Sequence, residues 1–228
     1  MKLFLLLLFG ILFFVLTTVM RKWKDIPVII AVAIGAACNA NLWTLFNMPI
    51  EMGSFLFTPD SALFVLYMYT VALMTLDHSP RQGKVLVFTS LAAIVISAIF
   101  EFTSSWASAG TITEENLRNF LFYVESCLGT LAGCLLIIWL VGKSKVTNKY
   151  MVLLSVLVVT IVIHTAFYFC GCLIKDKEKF LDVFVNELIG GTVLKSFFVL
   201  FSLLCYFVNQ KWLIPDSGFF RKKGNPQD

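Results

Sequence analysis

Apolar residues form long runs along this chain, and short polar gaps separate the runs. A run of about 20 apolar residues is long enough to cross a bilayer as a helix. The pattern therefore predicts an all-α fold, a polytopic integral membrane bundle of about seven transmembrane helices. The predicted spans are Leu3–Val19, Ile26–Leu45, Ser61–Leu76, Val85–Phe102, Phe120–Val141, Tyr150–Leu173 and Phe184–Val208.

The composition leaves little room for a soluble part. Hydrophobic residues make up 59% of the chain and charged residues 14%, whereas soluble domains contain about 25% charged residues. The longest polar gaps are Phe46–Asp60 and Glu101–Asn119. We expect the first of these to be an irregular external connection, because it contains two prolines and a glycine. Residues 1–228 then form one transmembrane domain, with 208–228 as a short cytoplasmic tail.

The distribution of Lys and Arg predicts the orientation. With an external N-terminus, 12 basic residues lie in cytoplasmic segments and 5 lie outside. Basic residues accumulate on the cytoplasmic side of membrane proteins. The chain is therefore predicted to run N-out and C-in, as a multi-pass protein of a bacterial cytoplasmic membrane. A cleaved signal peptide is the alternative for the first segment, but it lacks a small-residue cleavage site and ends at Arg21.

Charge and cysteine usage exclude several classes of function. The net charge of +4 does not indicate nucleic-acid binding, because basic residues flank apolar segments and form no single patch. The six cysteines lie within or at the ends of apolar segments, without metal-ligand spacing. We expect no cofactor and no metal. Hydrolase, nucleotide-binding and dinucleotide-binding motifs are also absent from the sequence, so we expect no enzyme.

Polar residues inside the predicted spans are the candidate site, since ionisable groups in a membrane usually mark solute or ion paths. Asn39 and Asn41, followed by Trp43, stand near the external end of the second span. Their amides suit hydrogen bonding to a planar heterocycle. Helix–helix hydrogen bonding is the structural alternative. We also expect tyrosines such as Tyr67 and Tyr69 to supply aromatic walls.

Four further groups lie in the last three spans. Glu125 is followed by a small-xxx-small pattern, His164 is an isolated histidine, and Glu187 precedes Lys195 by two helical turns. Lys195 is too deep in its span to reach water easily. We expect it to pair with Glu125 from another helix, although such a pair could serve packing alone. Together these groups predict a polar cavity that opens outward.

The layout is similar to that of the vitamin-uptake-type transporters, which include the bacterial queuosine-precursor transporters. The similarity rests on Ala40-Asn41, the glycine-containing loop Asn47–Thr58, the aromatic helix Phe64–Asp77, Gly83-Lys84 and Lys195. Two positions differ, because the second acid after Asp77 is missing and His164 stands in the helix that carries an Asp in the family. The resemblance implies uptake of a small planar solute such as a 7-deazaguanine.

Three hypotheses follow for the function. The first is a carrier for a small planar solute, bound by Asn39, Asn41, Trp43, Glu125, His164, Glu187 and Lys195. The second is a substrate-binding membrane subunit that works with an energising ATPase. The third is a non-transporting assembly or sensor protein. The partners expected are the lipid bilayer and a small-molecule solute, and self-association stays open.

Overall fold

The computed structural model describes residues 11, 14–16, 18–19, 50–52, 55–57, 60–110, 113–143, 148–175 and 180–213. Two short strands, β1 (Ile50–Met52) and β2 (Phe55–Phe57), precede five long helices. These are α1 (Asp60–Asp77), α2 (Pro80–Ala109), α3 (Glu114–Lys143), α4 (Lys149–Lys175) and α5 (Phe180–Val208), followed by a π-helical turn (Asn209–Leu213). The described residues near the N-terminus, which we call the first helical segment, are also helical.

Helix α1 occupies the centre of the bundle. Every residue from Val65 to Thr75 is buried, on all faces of the helix. Helices α2, α3, α4 and α5 all pack against it. A helix that is apolar on all sides is typical of a protein core or of a membrane span, and the run from Ser61 to Leu76 is almost entirely apolar.

Helices α2 and α4 begin, and α3 and α5 end, at the same end of the bundle, which we call the basic end. Side-chain caps fix the first turns of α2 and α4. Ser79 caps α2: its side chain accepts a hydrogen bond from the Gln82 backbone N–H at 3.2 Å, and Pro80 opens the helix. Asn148 caps α4 through Oδ1, which accepts from the Tyr150 backbone N–H at 3.0 Å. At the same end, the Tyr150 hydroxyl donates to Oε1 of Gln210 at 3.1 Å.

The basic end collects cationic side chains from four elements. A Cβ added at Gly142 of α3 would lie 3.4 Å from Pro80 Cγ, so the end of α3 meets the start of α2. The residues grouped there are Arg81, Lys84, Lys143, Lys149 and Lys211. All of them belong to the segments that the charge count assigns to the cytoplasm.

The opposite end, the hairpin end, contains the two strands. They pair antiparallel with Ile50 opposite Phe57 and Met52 opposite Phe55, and β2 packs against α5. This part of the loop is therefore a hairpin, and the expected irregular connection is wrong for it.

Gly110 ends α2 at the hairpin end. Its φ of 69° lies in the left-handed region, and its N–H donates to the Trp106 carbonyl at 2.9 Å. Glycine adopts this conformation without a Cβ penalty, which explains the stop. The chain then re-enters a helix after Thr113, whose carbonyl accepts from Leu117 N–H at 3.2 Å.

The outward faces of the peripheral helices are apolar. On α5 the exposed residues recur at helical spacing, and Phe197 is 57% exposed. The others on this face are Val193, Leu200, Leu204 and Phe207. Similar apolar faces occur on α2, α3 and α4. Within the described residues, two stretches are long and apolar enough to cross a membrane, Pro80–Ser104 and Gly191–Trp212.

The predicted helical class is confirmed for the described chain, and all of its five long helices overlap a predicted span. Helix α2 is longer than expected, because the span prediction followed only the apolar residues and the helix continues to its caps. The predicted segments Leu3–Val19 and Ile26–Leu45 lie mostly or wholly outside the described residues.

Candidate functional site

Lys195 is a buried lysine about halfway along α5. Its side chain is 8% exposed, although the helix around it is strongly apolar. Phe198 and Val199, one turn further on, are buried on the same side. This side of α5 therefore faces the interior of the bundle, whereas Phe197 faces outward. The expectation that Lys195 lies inside the bundle agrees with its burial.

The aromatic ring of Phe64 is one neighbour of the Lys195 ammonium. Nζ lies 5.7 Å from the centroid of this ring, which comes from the first turns of α1. A cation–π contact contributes about 0.5–2 kcal/mol, and the distance of 5.7 Å is near the outer limit for such contacts, whereas burying an ammonium ion costs several kcal/mol. Phe64 alone therefore offsets only part of the cost of burying Lys195.

The structure describes the backbone, but not the side chains, of three other predicted site residues. Glu125 lies in α3, His164 in α4 and Glu187 in α5. Counting the helical rise from the basic end places Lys195, His164 and Glu125 at about 20, 22 and 27 Å, and Glu187 at about 31 Å. Lys195 and His164 thus lie at similar levels of the bundle, whereas the backbones of Glu125 and Glu187 lie about one to two helical turns nearer the hairpin end. Asn39, Asn41 and Trp43 lie outside the described residues.

The expected pair between Lys195 and Glu125 requires their two helices to approach each other. Among the described elements, α5 packs extensively against α1, α4 and β2, and α3 packs against α1, α2 and α4. Helices α3 and α5 do not form an extensive interface with each other in this part of the chain. The pair stays a prediction, and it needs side chains long enough to meet beside α1 or α4.

Buried threonines of α1 bond to their own helix, and one tyrosine of α1 bonds to α2. Thr70 donates to the Leu66 carbonyl at 2.7 Å, and Thr75 donates to the Val71 carbonyl at 2.8 Å. Tyr67 hydrogen-bonds to Ser90 of α2, which itself donates to a carbonyl of its own helix. Tyr67 and Tyr69 are both buried in the core. Tyr67 therefore joins two helices in this structure, and its predicted role as a cavity wall stays untested.

Two cysteines lie in the same core. Cys134 and Cys205 are buried and have free thiols. Cys134 Sγ is 3.7 Å from Met68 Sδ, a contact between α3 and α1. This supports the interpretation of these two residues as small apolar packing groups.

Sequence reasoning missed three residues that the fold brings into the polar interior. Phe64 is close to Lys195 only through tertiary packing. The chain contains 23 phenylalanines, and nothing in the sequence distinguishes this one from the others. Ser202 and Asn209 are buried polar residues on α5 and the turn after it. For Ser202 the spacing of seven residues from Lys195 was a usable signal, because it places the two residues on one helical face.

Comparison with known proteins adds no family assignment: no family model, curated protein or solved structure matches this chain.

Proposed function

We propose that this protein is a multi-pass membrane carrier for a small planar solute rich in hydrogen-bonding groups. A 7-deazaguanine queuosine precursor or a vitamin-like heterocycle is the solute class that the layout suggests. The observation that carries the proposal is Lys195, a buried cation beside an aromatic ring in the middle of an apolar helix.

The exposed apolar faces support a membrane location. Soluble monomers rarely expose contiguous apolar patches larger than a few hundred Å², but here four helices each present apolar residues outward. The aromatic residues agree with this location. Trp139 and Trp212 are exposed near the basic end, and Trp106 is exposed near the hairpin end. Helical rise separates the two levels by roughly 30 Å, close to the thickness of a hydrocarbon core.

The lysines of the basic end support the proposed orientation. Lys143 lies 5.2 Å from the ring centroid of Trp139, and Lys211 lies 5.5 Å from that of Phe207. Such side chains cover apolar surface while the ammonium group reaches the headgroup region. We propose that the basic end faces the cytoplasm and that seven helices cross the membrane.

The burial of Lys195 supports a role in solute binding. Apolar residues of similar volume often stabilise a protein as well as a buried ion does, or better. A lysine at this depth is therefore better explained by function than by folding. Its ammonium group can donate hydrogen bonds to an acceptor on the solute, and the Phe64 ring offers an apolar surface beside it.

The first experiment is a thermal-shift screen of the purified protein against nucleobases, 7-deazapurines and vitamins. A compound that binds the folded state raises the apparent melting temperature by mass action. The expected result is a shift with a planar heterocycle that Lys195→Met removes and that the outward-facing control Phe197→Leu retains.

Two outcomes would change the proposal. If no compound shifts the melting temperature and none is taken up by proteoliposomes, the protein is not a carrier for this class of solute. If binding occurs but uptake requires a co-purifying ATPase, the protein is a substrate-binding subunit.

A further inference from the structure

Helices α2 and α3 run antiparallel and approach each other closely at two points near the basic end. A Cβ added at Gly83 would lie 3.4 Å from Ile138 Cγ1, and one added at Gly142 would lie 3.4 Å from Pro80 Cγ. The line of contact through these four residues, which we call the α2–α3 seam, fixes which residues of the two helices lie at the same level.

The rotation around α2 shows which of its residues flank the seam. Gly83 faces α1 as well as α3, because its added Cβ would also overlap with Thr75 Oγ1. Pro80, which faces α3, lies about 60° further round the helix, and Lys84 lies about 40° beyond Pro80 in the same sense. Lys84 therefore stands on the outer side of the seam, away from α1, and it is exposed. Arg81, about 60° further round, is exposed as well.

Helix α3 presents a tryptophan and a lysine to the same side. Cys134 faces α1, with its Sγ 3.7 Å from Met68 Sδ, and Gly142 lies about 80° further round the helix. Trp139 lies about 60° beyond Gly142 and is 54% exposed. Lys143 follows about 40° later, and its Nζ stands over the Trp139 ring at 5.2 Å from the centroid. Both helices therefore direct a lysine to the outer side of one seam.

The two lysines lean toward each other along this seam. Side chains on a helix tilt toward the helix N-terminus. On α2 this direction leads from Lys84 to the basic end, whereas on α3 it leads from Lys143 back toward Trp139. The register places the backbone of Lys84 about 8 Å deeper than that of Lys143. The opposed tilts therefore bring the two ammonium groups toward one intermediate level.

The surface below the cations is apolar. Phe88 of α2 and Leu135 of α3 are both exposed there. Within the described part of the chain, no ion pair joins Arg81, Lys84 or Lys143 to an acid. The outer side of the seam thus offers cations at one level, an indole ring beside them and an apolar surface beneath. A phospholipid presents its phosphate, glycerol and acyl chains in the same order.

We propose that the outer side of the α2–α3 seam binds an anionic phospholipid of the cytoplasmic leaflet. Lys84, Lys143 and Arg81 bind its phosphate, for which a guanidinium group can donate two parallel hydrogen bonds. The acyl chains lie along the apolar surface beneath Trp139. The inference goes beyond solute transport, but it rests on the proposed membrane location and orientation, because the headgroups must lie at the basic end.

Lys211 provides a comparison at the same end of the bundle. Its Nζ also stands over an exposed ring, 5.9 Å from the centroid of Trp212. Helix α5 packs against α1 and α4 and forms no extensive interface with α2 or α3 in the described chain. Lys211 therefore carries the same charge at the basic end, but on another side of α1.

Lipid binding can be measured by native mass spectrometry of the purified protein in detergent. Phosphatidylglycerol and phosphatidylcholine with the same acyl chains are the two probes. We expect phosphatidylglycerol to bind at least about tenfold more tightly, since each basic residue near an anionic headgroup favours it about fivefold. The double variant Lys84→Gln, Lys143→Gln should lose most of this preference. The double variant Lys84→Arg, Lys143→Arg keeps both charges and should retain it.

Two control variants locate the effect. Lys211→Gln removes a charge from the basic end outside the seam, and Arg118→Gln removes one from the first turns of α3 at the hairpin end. Both should keep the preference for phosphatidylglycerol. If Lys211→Gln weakened binding as much as Lys143→Gln alone, the attraction would be diffuse and the seam would not be a site. If millimolar inorganic phosphate displaced the lipid, the residues would bind a free anion and the lipid proposal would be wrong.

The single variants Lys84→Gln and Lys143→Gln decide the matter if the double variant does not fold. Equal binding of the two lipids by the wild-type protein would also overturn the inference. Because the test uses no solute, its failure differs from failure of the proposed function. Preference for phosphatidylglycerol without any binding of 7-deazaguanine would count against the carrier for that compound and leave the lipid site in place. Normal uptake of 7-deazaguanine without a lipid preference would do the reverse.

Discussion

Helices α1 and α5 both bury polar side chains, but the groups they bury differ in kind. On α1 the buried threonines donate to carbonyls of their own helix, and Tyr67 bonds to Ser90 of α2. On α5 the buried groups include the ammonium ion of Lys195 and, at the turn after the helix, the amide of Asn209. Locally satisfied hydroxyls cost little and serve packing. A buried cation is costly, so we expect the residues that matter for the proposed function on α5 and not on α1.

The largest effect is expected when the buried lysine of α5 is replaced by an apolar residue. Lys195→Met should lower uptake by about tenfold to a hundredfold, because it removes hydrogen bonds from a charged donor worth about 1.5–3 kcal/mol. If Glu125 is the partner of Lys195, as the sequence predicts, the melting temperature of Lys195→Met should also fall, because one charge of the pair would stay buried alone. Uptake assays and thermal unfolding of the same preparation measure both quantities.

Thr70→Val is the matched variant on α1. It replaces a buried hydroxyl that bonds to its own helix, so uptake per folded molecule should stay within about twofold of wild type. If Thr70→Val lowered uptake as strongly as Lys195→Met, the division between a packing helix and a functional helix would be wrong.

The next largest effect is a loss of stability where α1 packs closely against α2. A Cβ placed on Gly83 would overlap with Thr75 Oγ1. Gly83→Ala should therefore lower the free energy of unfolding by about 2 kcal/mol through overpacking. The double variant Gly83→Ala, Thr75→Ala removes the clashing oxygen and should regain most of this loss. Equal stability of the single and double variants would contradict the contact.

Sequence reasoning predicted the helices better than the site. The span Ser61–Leu76 agrees closely with α1 (Asp60–Asp77), because long apolar runs fix a helix whatever surrounds it. The hairpin was missed because three-residue strands carry little pattern of their own. The burial of Lys195 was predicted, but Phe64 was not, since their contact depends on how α1 packs against α5.

Asn209 was missed for a different reason. It lies after the last apolar residue of the predicted span, where a polar residue signals a helix end at the membrane surface. Its burial comes from the π-helical turn and from Thr18, a residue at the other end of the chain. Tertiary contacts of this kind are not encoded in local periodicity.

A smaller effect is expected from the hydrogen bond between α1 and α2. Tyr67→Phe and Ser90→Ala should each lower the free energy of unfolding by about 1 kcal/mol, the net contribution of one buried hydrogen bond. In a double-mutant cycle the two losses should not add, because each removes the same bond. Additive losses would show that the two hydroxyls act independently. Uptake should be unchanged in all three variants.

The smallest effect is expected from a change at Phe64. This residue belongs to α1 but contacts the cation of α5, so it tests whether the functional surface is confined to α5. Phe64→Leu keeps an apolar side chain and removes the ring that lies 5.7 Å from Lys195 Nζ. The binding free energy of the heterocycle should weaken by about 0.5–1 kcal/mol, which is about two- to fivefold in affinity. Isothermal titration of both proteins would measure it.

Phe64→Tyr, which retains an aromatic face, is the control and should bind as wild type does. If Phe64→Leu bound equally well but unfolded more easily, the ring would serve only to pack α1, and the functional surface would be confined to α5. A loss of affinity without a loss of stability would instead extend that surface onto the central helix.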